Sequence, residues 1–298
     1  MWRHRITLTA AAVVAVLATA PAAWAGRPGE AIYGDINGDR RTDRVTLGGG
    51  TTHGCAVDVA LGHPAGGYGK PTSHAYPVPG VPDAYCPDLG VLVDLGGDGT
   101  VELVLAWFDG APPGHAGDLL ALRDFAPVGG FRAVFQPSYL GAADFDGDGR
   151  LDLYEWTDQG EGFVTLLNTA DGKLVPGPLR WCSPHYAPDV RLADFEADGD
   201  TELLVSYQEA CADAASGVSV LRGDGSRIDL ERDVTATNQW SVQVLDANGD
   251  GRPDVRTTDG AGTVHHHLSR RDGGFDLGPR GQPGATGRPR TGVPTARW

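Results

Sequence analysis

The chain has 298 residues and a formal net charge of −15. A phosphate backbone requires a basic surface, so this acidic composition disfavours nucleic acid as a partner. The 44 glycines and 21 prolines are typical of a chain that turns often, and no window beyond the N-terminal segment has a sustained helical apolar period. The composition therefore favours an all-β protein.

The first 25 residues have the three regions of a secretory signal peptide. Arg3 and Arg5 form the positive region, Ile6 to Ala20 the apolar region, and Ala23-Trp24-Ala25 a small-x-small cleavage site. The apolar run is short for a bilayer span and no later one follows, so we predict no membrane span. An uncleaved anchor is the alternative. We expect a mature protein that begins at Gly26 and is secreted as a soluble extracellular protein.

Five copies of an acidic nine-residue loop follow, spaced about 50 residues apart. Oxygen-bearing side chains occupy positions 1, 5 and 9 in every copy and position 3 in four copies, and glycine follows at position 6 in four copies. The candidate ligands are Asp35, Asn37, Asp39 and Asp43; Asp94, Asp98 and Glu102; Asp144, Asp146, Asp148 and Asp152; Asp194, Glu196, Asp198 and Glu202; and Asp246, Asn248, Asp250 and Asp254. Calcium requires six to eight oxygens, and such a loop concentrates them in one segment. The loops predict up to five structural Ca²⁺ sites.

The negative charge of the chain is concentrated in these loops. Cleavage of the signal peptide removes Arg3 and Arg5 and takes the formal charge from −15 to −17. The candidate ligands include seventeen carboxylates, which equals that net charge. Like charges within a few ångströms repel strongly unless a cation neutralises them.

The five loops differ in their expected affinity for calcium. The third has four carboxylates and the position-6 glycine, and the fifth has three carboxylates and Asn248; we expect these two to bind best. The first has Arg40 where glycine is preferred. The fourth uses the longer Glu196 and Glu202. The second has Gly96 at position 3 and is expected to bind least.

The flanks of the loops predict short strands, because they are runs of four to six aliphatic and β-branched residues bounded by Gly, Pro and Asp. Asp171-Gly172 and Asp224-Gly225 lie between further strand-like runs and predict tight turns. About fifty residues with four short strands, repeated five times, predict a five-bladed β-propeller over residues 26–278. Six or seven blades with degenerate repeats, or a β-solenoid, are the alternatives. Residues 279–298 are predicted to be a disordered tail.

Four cysteines lie in the exported part, where disulfides persist. Three pairings are possible. Proximity in the sequence favours Cys55–Cys86 and Cys182–Cys211, and the absence of C-x-x-C spacing argues against a metal-thiolate site.

The third and fifth loops with their flanks, Ala143-Asp-Phe-Asp-Gly-Asp-Gly-Arg-Leu-Asp-Leu and Leu245-Asp-Ala-Asn-Gly-Asp-Gly-Arg-Pro-Asp-Val, resemble FG-GAP/VCBS repeats. These are the units of integrin-α-type propellers and of many secreted bacterial proteins. The resemblance covers about residues 30–278. It implies that each loop joins the first two strands of a blade, binds Ca²⁺ and adds a backbone carbonyl from position 7. The Phe-Gly and Gly-Ala-Pro that name the family are mostly absent; Gly110-Ala111-Pro112 is the one trace.

Other metal and enzyme patterns are weaker. An EF-hand requires Glu at position 12 and helical flanks; only the third loop has that residue, Glu155, and the flanks are strand-like. In the tract His265-His266-His267, strand alternation lets at most two side chains converge. No pair of acids outside the loops, Glu231 among them, is singled out for glycoside hydrolysis.

We therefore expect a monomeric, calcium-stabilised binding or adhesion module for a glycan or protein ligand. A secreted glycoside hydrolase or lyase is the alternative. Four tryptophans near the loops are candidates for stacking on sugar rings, or for filling the space between blades. They are Trp107, Trp156, Trp181 and Trp240.

Overall fold

The computed structural model describes residues 23–26, 29–51, 54–78, 85–108, 111, 115, 117–132, 137–157, 162–182, 189–208, 215–235 and 238–278. All regular structure in these ranges is β-strand, in 21 strands. None of this part of the chain forms a helix long and apolar enough to span a bilayer. The predicted signal peptide up to residue 22 and the predicted tail 279–298 lie outside the described residues.

Twenty of the strands form five antiparallel four-stranded sheets, each from consecutive strands. The first blade contains β2 (Ile32–Gly34), β3 (Asp43–Thr51), β4 (Gly54–Ala60) and β5 (Thr72–Tyr76), and the second β6 (Leu89–Val93), β7 (Glu102–Ala106), β8 (Asp118–Arg123) and β9 (Ala126–Arg132). The third contains β10 (Tyr139–Ala143), β11 (Asp152–Thr157), β12 (Gly162–Asn168) and β13 (Leu174–Trp181), and the fourth β14 (Asp189–Ala193), β15 (Glu202–Tyr207), β16 (Ser216–Leu221) and β17 (Arg227–Asp233). The fifth contains β18 (Ser241–Leu245), β19 (Asp254–Thr258), β20 (Val264–Ser269) and β21 (Phe275–Leu277). The fold is a five-bladed all-β propeller, as the repeats predict.

The remaining strand, β1 (Ala23–Gly26), adds to the third blade. It pairs antiparallel with β10, with Ala23 opposite Ala142 and Gly26 opposite Leu140. It does not complete the fifth blade, whose four strands β18–β21 all follow one another in the chain. The predicted cleavage after Ala25 falls within this strand and stays a prediction.

Each acidic loop is the tip of the hairpin between the first two strands of a blade. The residue before the loop lies opposite the ninth residue of the loop, which begins the second strand. These pairs are Gly34–Asp43, Val93–Glu102, Ala143–Asp152, Ala193–Glu202 and Leu245–Asp254. The predicted strand flanks are thus confirmed in all five copies.

The turns between the third and fourth strands lie at the same end of the blades, because alternate connections of an antiparallel meander share an end. The two predicted Asp-Gly turns form there. The N–H of Gly172 donates to the Thr169 carbonyl at 2.8 Å, and the N–H of Gly225 donates to the Arg222 carbonyl at 2.9 Å. Both glycines have positive φ, 73° and 84°. Acidic loops and these turns therefore share one end of the propeller.

Four clusters of buried apolar side chains lie at the joints between consecutive blades. Leu105, Val91, Phe163 and Val220 belong to the first to fourth of these clusters in order, and each is at most 1% exposed. Burying such a side chain contributes about 1.5–3 kcal/mol. Apolar contact therefore holds neighbouring blades face to face, independently of any metal.

One predicted disulfide is present. Cys55 on β4 is bonded to Cys86, just before β6, with 5.5 Å between the Cα atoms. The bond joins the first blade to the segment that enters the second. Cys211 lies outside the described residues, so the pair Cys182–Cys211 stays a prediction.

Candidate metal centres

The carboxylate at position 1 organises each acidic loop. One of its oxygens accepts a hydrogen bond from the N–H at position 6, at 2.5–3.1 Å in the five loops. The position-5 carboxylate in turn accepts from the N–H at position 7, at 2.8–3.2 Å. The position-1 acceptors are Asp35, Asp94, Asp144, Asp194 and Asp246. The repeated sequence therefore folds into one repeated loop conformation.

Two positions of each loop have a left-handed backbone. At position 6, φ is 64° to 107°, at Arg40, Gly99, Gly149, Gly199 and Gly251. At position 4, φ is 57° to 80°, at Gly38, Gly97, Gly147, Ala197 and Gly249. The sequence analysis predicts a sharp turn at position 6 alone. Position 4 is also glycine in four of the five loops, and this pattern could have predicted its left-handed backbone. This backbone turns the N–H groups toward the position-1 carboxylate.

Replacing Arg40 with glycine is expected to stabilise the first loop. A left-handed conformation costs a residue other than glycine about 1–2 kcal/mol, and the Arg40 side chain is exposed. Arg40→Gly should raise the free energy of unfolding by about 1 kcal/mol, measured by urea denaturation. The matched control is Gly251→Ala in the fifth loop, where an added Cβ meets nothing within 4 Å but φ is 90°. That variant should lose about 1 kcal/mol; no change in either variant would contradict the expected strain.

The position-9 carboxylates are structural groups as well as candidate ligands. All five are at most 2% exposed and accept a hydrogen bond from the N–H at position 2, at 2.7–3.1 Å. In three loops the second oxygen accepts from an N–H at or just after the end of the third strand: Asp43 from Gly62, Asp152 from Asn168 and Asp254 from Ser269, at 2.7–2.9 Å. Each carboxylate oxygen has two lone pairs, so these bonds leave a lone pair for a cation. This second role was not predicted.

An arginine lies beside the carboxylates of every loop. In the first, third and fifth loops it is the position-7 residue, paired with the position-5 aspartate: Arg41, Arg150 and Arg252. In the second loop Arg123 from β8 contacts Asp98, at 3.1 Å, and also Glu102. In the fourth, Arg222 Nε lies 2.7 Å from Glu196 Oε1. Each guanidinium neutralises part of its loop and competes there with a metal ion.

The third loop has more negative charge than its arginine compensates. Ligand oxygens of Asp144, Asp146 and Asp152 all lie within 4.8 Å of one another. Among the described residues, no other acidic loop brings three ligand atoms so close. Burial, with added repulsion from Asp146 and Asp144, raises the pKa of Asp152 to about 6. Burial, followed by the charge of Asp144, also raises the pKa of Asp146. A cation at this point would relieve both effects.

The fourth loop extends this negative region. Asp200, at position 7, packs its carboxylate against Gly147 of the third loop, and the Thr201 N–H donates to the Asp144 carbonyl at 2.6 Å. Burial, then the charges of Asp198 and Asp144, raise the pKa of Asp200 to about 6. Burial raises the pKa of Glu202 to about 8. Asp200 is not among the predicted ligands, yet it points a carboxylate at the third loop from the next blade.

The second loop fits a cation least. Its position-3 residue, Gly96, offers no side-chain oxygen, and its N–H donates to Asn168 Oδ1 of the third blade at 2.9 Å. The Thr100 N–H, together with Arg123, holds the pKa of Asp98 below its usual range. Arg123 compensates part of the charge of this loop, and the loop offers no oxygen at position 3. In the third loop the residues present fit Ca²⁺: three oxygens converge, Arg150 compensates only part of the negative charge, and the donor set is all oxygen.

The first and fifth loops are intermediate. Each has asparagine at position 3, whose Oδ1 accepts from the position-5 N–H: Asn37 from Asp39 at 3.0 Å and Asn248 from Asp250 at 2.8 Å. The Asn248 amide also donates to Asp250 Oδ2 at 3.0 Å. The asparagine oxygens thus face into their loops, and calcium binding there stays a prediction.

The four tryptophans are buried. Trp107, Trp156, Trp181 and Trp240 are 3%, 6%, 5% and 8% exposed and belong to the apolar clusters between blades. Trp107 donates its indole N–H to the Tyr85 carbonyl at 3.0 Å. Their burial favours the packing role over stacking on sugars, and ligand binding by them stays a prediction.

Residues 144–205 match the FG-GAP-like repeat. This stretch begins at Asp144, contains the third and fourth loops, and ends at Val205 on β15. The resemblance to FG-GAP repeats is confirmed for this part of the chain. The fold and this repeat support a propeller module of the binding type.

No curated protein matches the chain. Among solved structures, it is similar to the crystal structure of BBS1N in complex with ARL6DN, soaked with lead. The identity is 12% and the TM-score 0.37, over 86% of this chain and 84% of that chain. A likeness at this level carries no functional inference.

Proposed function

We propose that this protein is a secreted, calcium-stabilised β-propeller that acts as a binding or adhesion module for an extracellular glycan or protein ligand. The observation that carries the calcium proposal is the shared conformation of five acidic loops, one of which gathers three carboxylates within 4.8 Å. The signal-peptide pattern of residues 1–25 supports secretion.

The calcium would be structural. Asp144, Asp146 and Asp152, with Asp148 completing the set of carboxylates, would hold it in the third loop. The ion would neutralise carboxylates that otherwise repel one another, and would fix the hairpin between β10 and β11. Because Asp200 of the fourth blade reaches this loop, the same ion would also strengthen the joint between the third and fourth blades.

A cleft on the second blade is the best candidate for the ligand site. Its volume is about 560 Å³ and its lining includes Trp107, Phe131, Arg132 and the hydrogen-bonded pair His115–Asp118. This volume is in the range of small-ligand sites, roughly 300–1,000 Å³. An apolar wall with a few charged groups suits a sugar, which has both apolar faces and hydroxyl groups.

A screen of the purified protein against immobilised glycans, scored for retention and for released products, tests the proposal. We expect retention of at least one glycan without products. Phe131→Ala should weaken that binding about tenfold, or about 1.4 kcal/mol. Val128→Ala, on the same strand, 55% exposed and outside the cleft lining, is the matched control.

Each alternative gives a different result. Product release would contradict the binding module and establish the hydrolase or lyase alternative. Retention that both variants preserve would place the ligand elsewhere on the propeller. Binding of a protein and of no glycan would favour the protein ligand.

A further inference from the structure

A second cluster of metal-ligating side chains lies away from the acidic loops, between the fourth and fifth blades. It consists of Glu231 on β17 and of His265 and His267 on β20, and we call it the histidine cluster. Glu231 Oε1 lies 2.7 Å from His265 Nδ1 and 2.9 Å from His267 Nε2. One ligand atom from each of the three residues lies within 4.8 Å of the others. These side chains are 12%, 24% and 7% exposed, in the order given.

The fold brings the three residues together in a simple way. In a strand, residues two apart point to the same face, so His265 and His267 project together while His266 points away. β17 is the last strand of the fourth blade, and Glu231 from it meets that face of the fifth blade. Thr257, opposite His265 on β19, also lies on this face and donates its hydroxyl to Glu231 Oε1 at 2.9 Å. The sequence could place the two histidines on one face, but not Glu231 beside them.

The hydrogen bonding of this cluster is unusual. Three groups, two imidazoles and one hydroxyl, converge on the single oxygen Oε1 of Glu231 at 2.7–2.9 Å. A carboxylate oxygen has about two lone-pair sites, so three donors exceed what it accepts with good geometry. Two neutral imidazoles and a carboxylate are instead a complete set of three ligands for a divalent metal.

We propose that Glu231, His265 and His267 bind a Zn²⁺ ion. Ligand atoms about 2.1 Å from a tetrahedral metal are about 3.4 Å apart. The two nitrogens would therefore move only about 0.5–0.7 Å from the carboxylate oxygen to admit the ion. Thr257 would remain bonded to Glu231 and orient it, as outer partners of metal ligands do. The fourth coordination position is open to water.

The donor set selects the metal. Imidazole nitrogen suits zinc and its neighbours in the transition series, whereas calcium prefers oxygen alone. The site is thus chemically distinct from the acidic loops and does not depend on the proposed function. Because its ligands come from two blades, the ion would cross-link the fourth blade to the fifth.

Titration calorimetry with ZnCl₂ on the full chain, in saturating Ca²⁺, tests the proposal. We expect one Zn²⁺ per chain. His265→Gln should weaken zinc binding at least about 100-fold. Loss of a group that only hydrogen-bonds a metal ligand costs up to about 100-fold in affinity, and loss of a ligand itself should cost no less. His266→Gln, on the same strand and the opposite face, is the matched control and should bind zinc as the wild type does. Zinc should raise the melting temperature of the wild type and of His266→Gln but not of His265→Gln.

A second measurement avoids dependence on the folding of a variant. Co²⁺ added to the wild type in saturating Ca²⁺ should give the visible absorption of a four- or five-coordinate site with nitrogen ligands, and Zn²⁺ should abolish it. Absence of both zinc binding and this absorption overturns the proposal. Equal loss of zinc binding in His265→Gln and His266→Gln also overturns it.

Discussion

Removing calcium with EDTA is expected to lower the melting temperature by roughly 10 °C. A site with a dissociation constant on the order of 10⁻⁴ M contributes about 1.8 kcal/mol at about 2 mM calcium. In a chain of this size, 1 kcal/mol shifts the melting temperature by about 2–4 °C. Two filled sites therefore explain a difference of this size. Differential scanning calorimetry in EDTA and in calcium measures it, and identical melting temperatures would show that the loops are not metal sites.

Matched variants in two loops distinguish the loss of a calcium ligand from the mere loss of a negative charge. Asp148 and Asp98 both occupy position 5, and each accepts the N–H at position 7, at 2.9 and 2.8 Å. Asp148→Ala should remove part of the stabilisation by calcium. Asp98→Ala should leave that increment unchanged, because Gly96 gives the second loop no oxygen ligand at position 3. Equal effects of calcium in the two variants would contradict the ranking of the loops.

Asp152→Ala is expected to destabilise the protein by about 2–6 kcal/mol even in EDTA. Asp152 is fully buried, and its two oxygens accept the N–H groups of Phe145 and Asn168, both at 2.8 Å. Alanine leaves two buried N–H groups without their partner, at about 1–3 kcal/mol each. Urea denaturation of the calcium-free variant and wild type gives the difference.

The control for this prediction is Asp146→Ala in the same loop. Asp146 is exposed for much of its surface, but partial desolvation of its carboxylate and the charge of Asp144 raise its pKa. Its loss therefore relieves repulsion when calcium is absent. The variant should match or exceed the wild type in EDTA and lose only the increment from calcium. A calcium-free Asp152→Ala protein as stable as the wild type would show that position 9 acts only through the metal.

Local requirements explain why much of the fold could be predicted. A loop of nine residues, a glycine at a left-handed position and short aliphatic flanks each produce a sequence pattern that is recognisable within one repeat. The spacing of Asp144 and Asp194 shows that the repeat is about one blade long. The strand flanks, the Asp-Gly turns at Gly172 and Gly225, and the pair Cys55–Cys86 all depend on residues near one another in the chain, and all were predicted.

Contacts between blades could not be predicted in the same way. Asp200 of the fourth blade contacts the third loop. Glu231 of the fourth blade contacts His265 of the fifth, which lies 34 residues later in the chain. No single repeat carries a sign of such partners, because the packing angle of neighbouring blades decides them. The burial of the tryptophans depends on the same packing.

Every blade is made of four consecutive strands, and this has a consequence for how the chain reaches its native state. Among the described strands, all except β1 pair only with strands of their own blade. Each blade can form as soon as its own fifty or so residues emerge, and then offers a finished apolar face to the next. Short-range contacts of this kind speed folding and shorten the exposure of unpaired strand edges. The chain is therefore suited to assembling in order from its first blade to its last while synthesis continues.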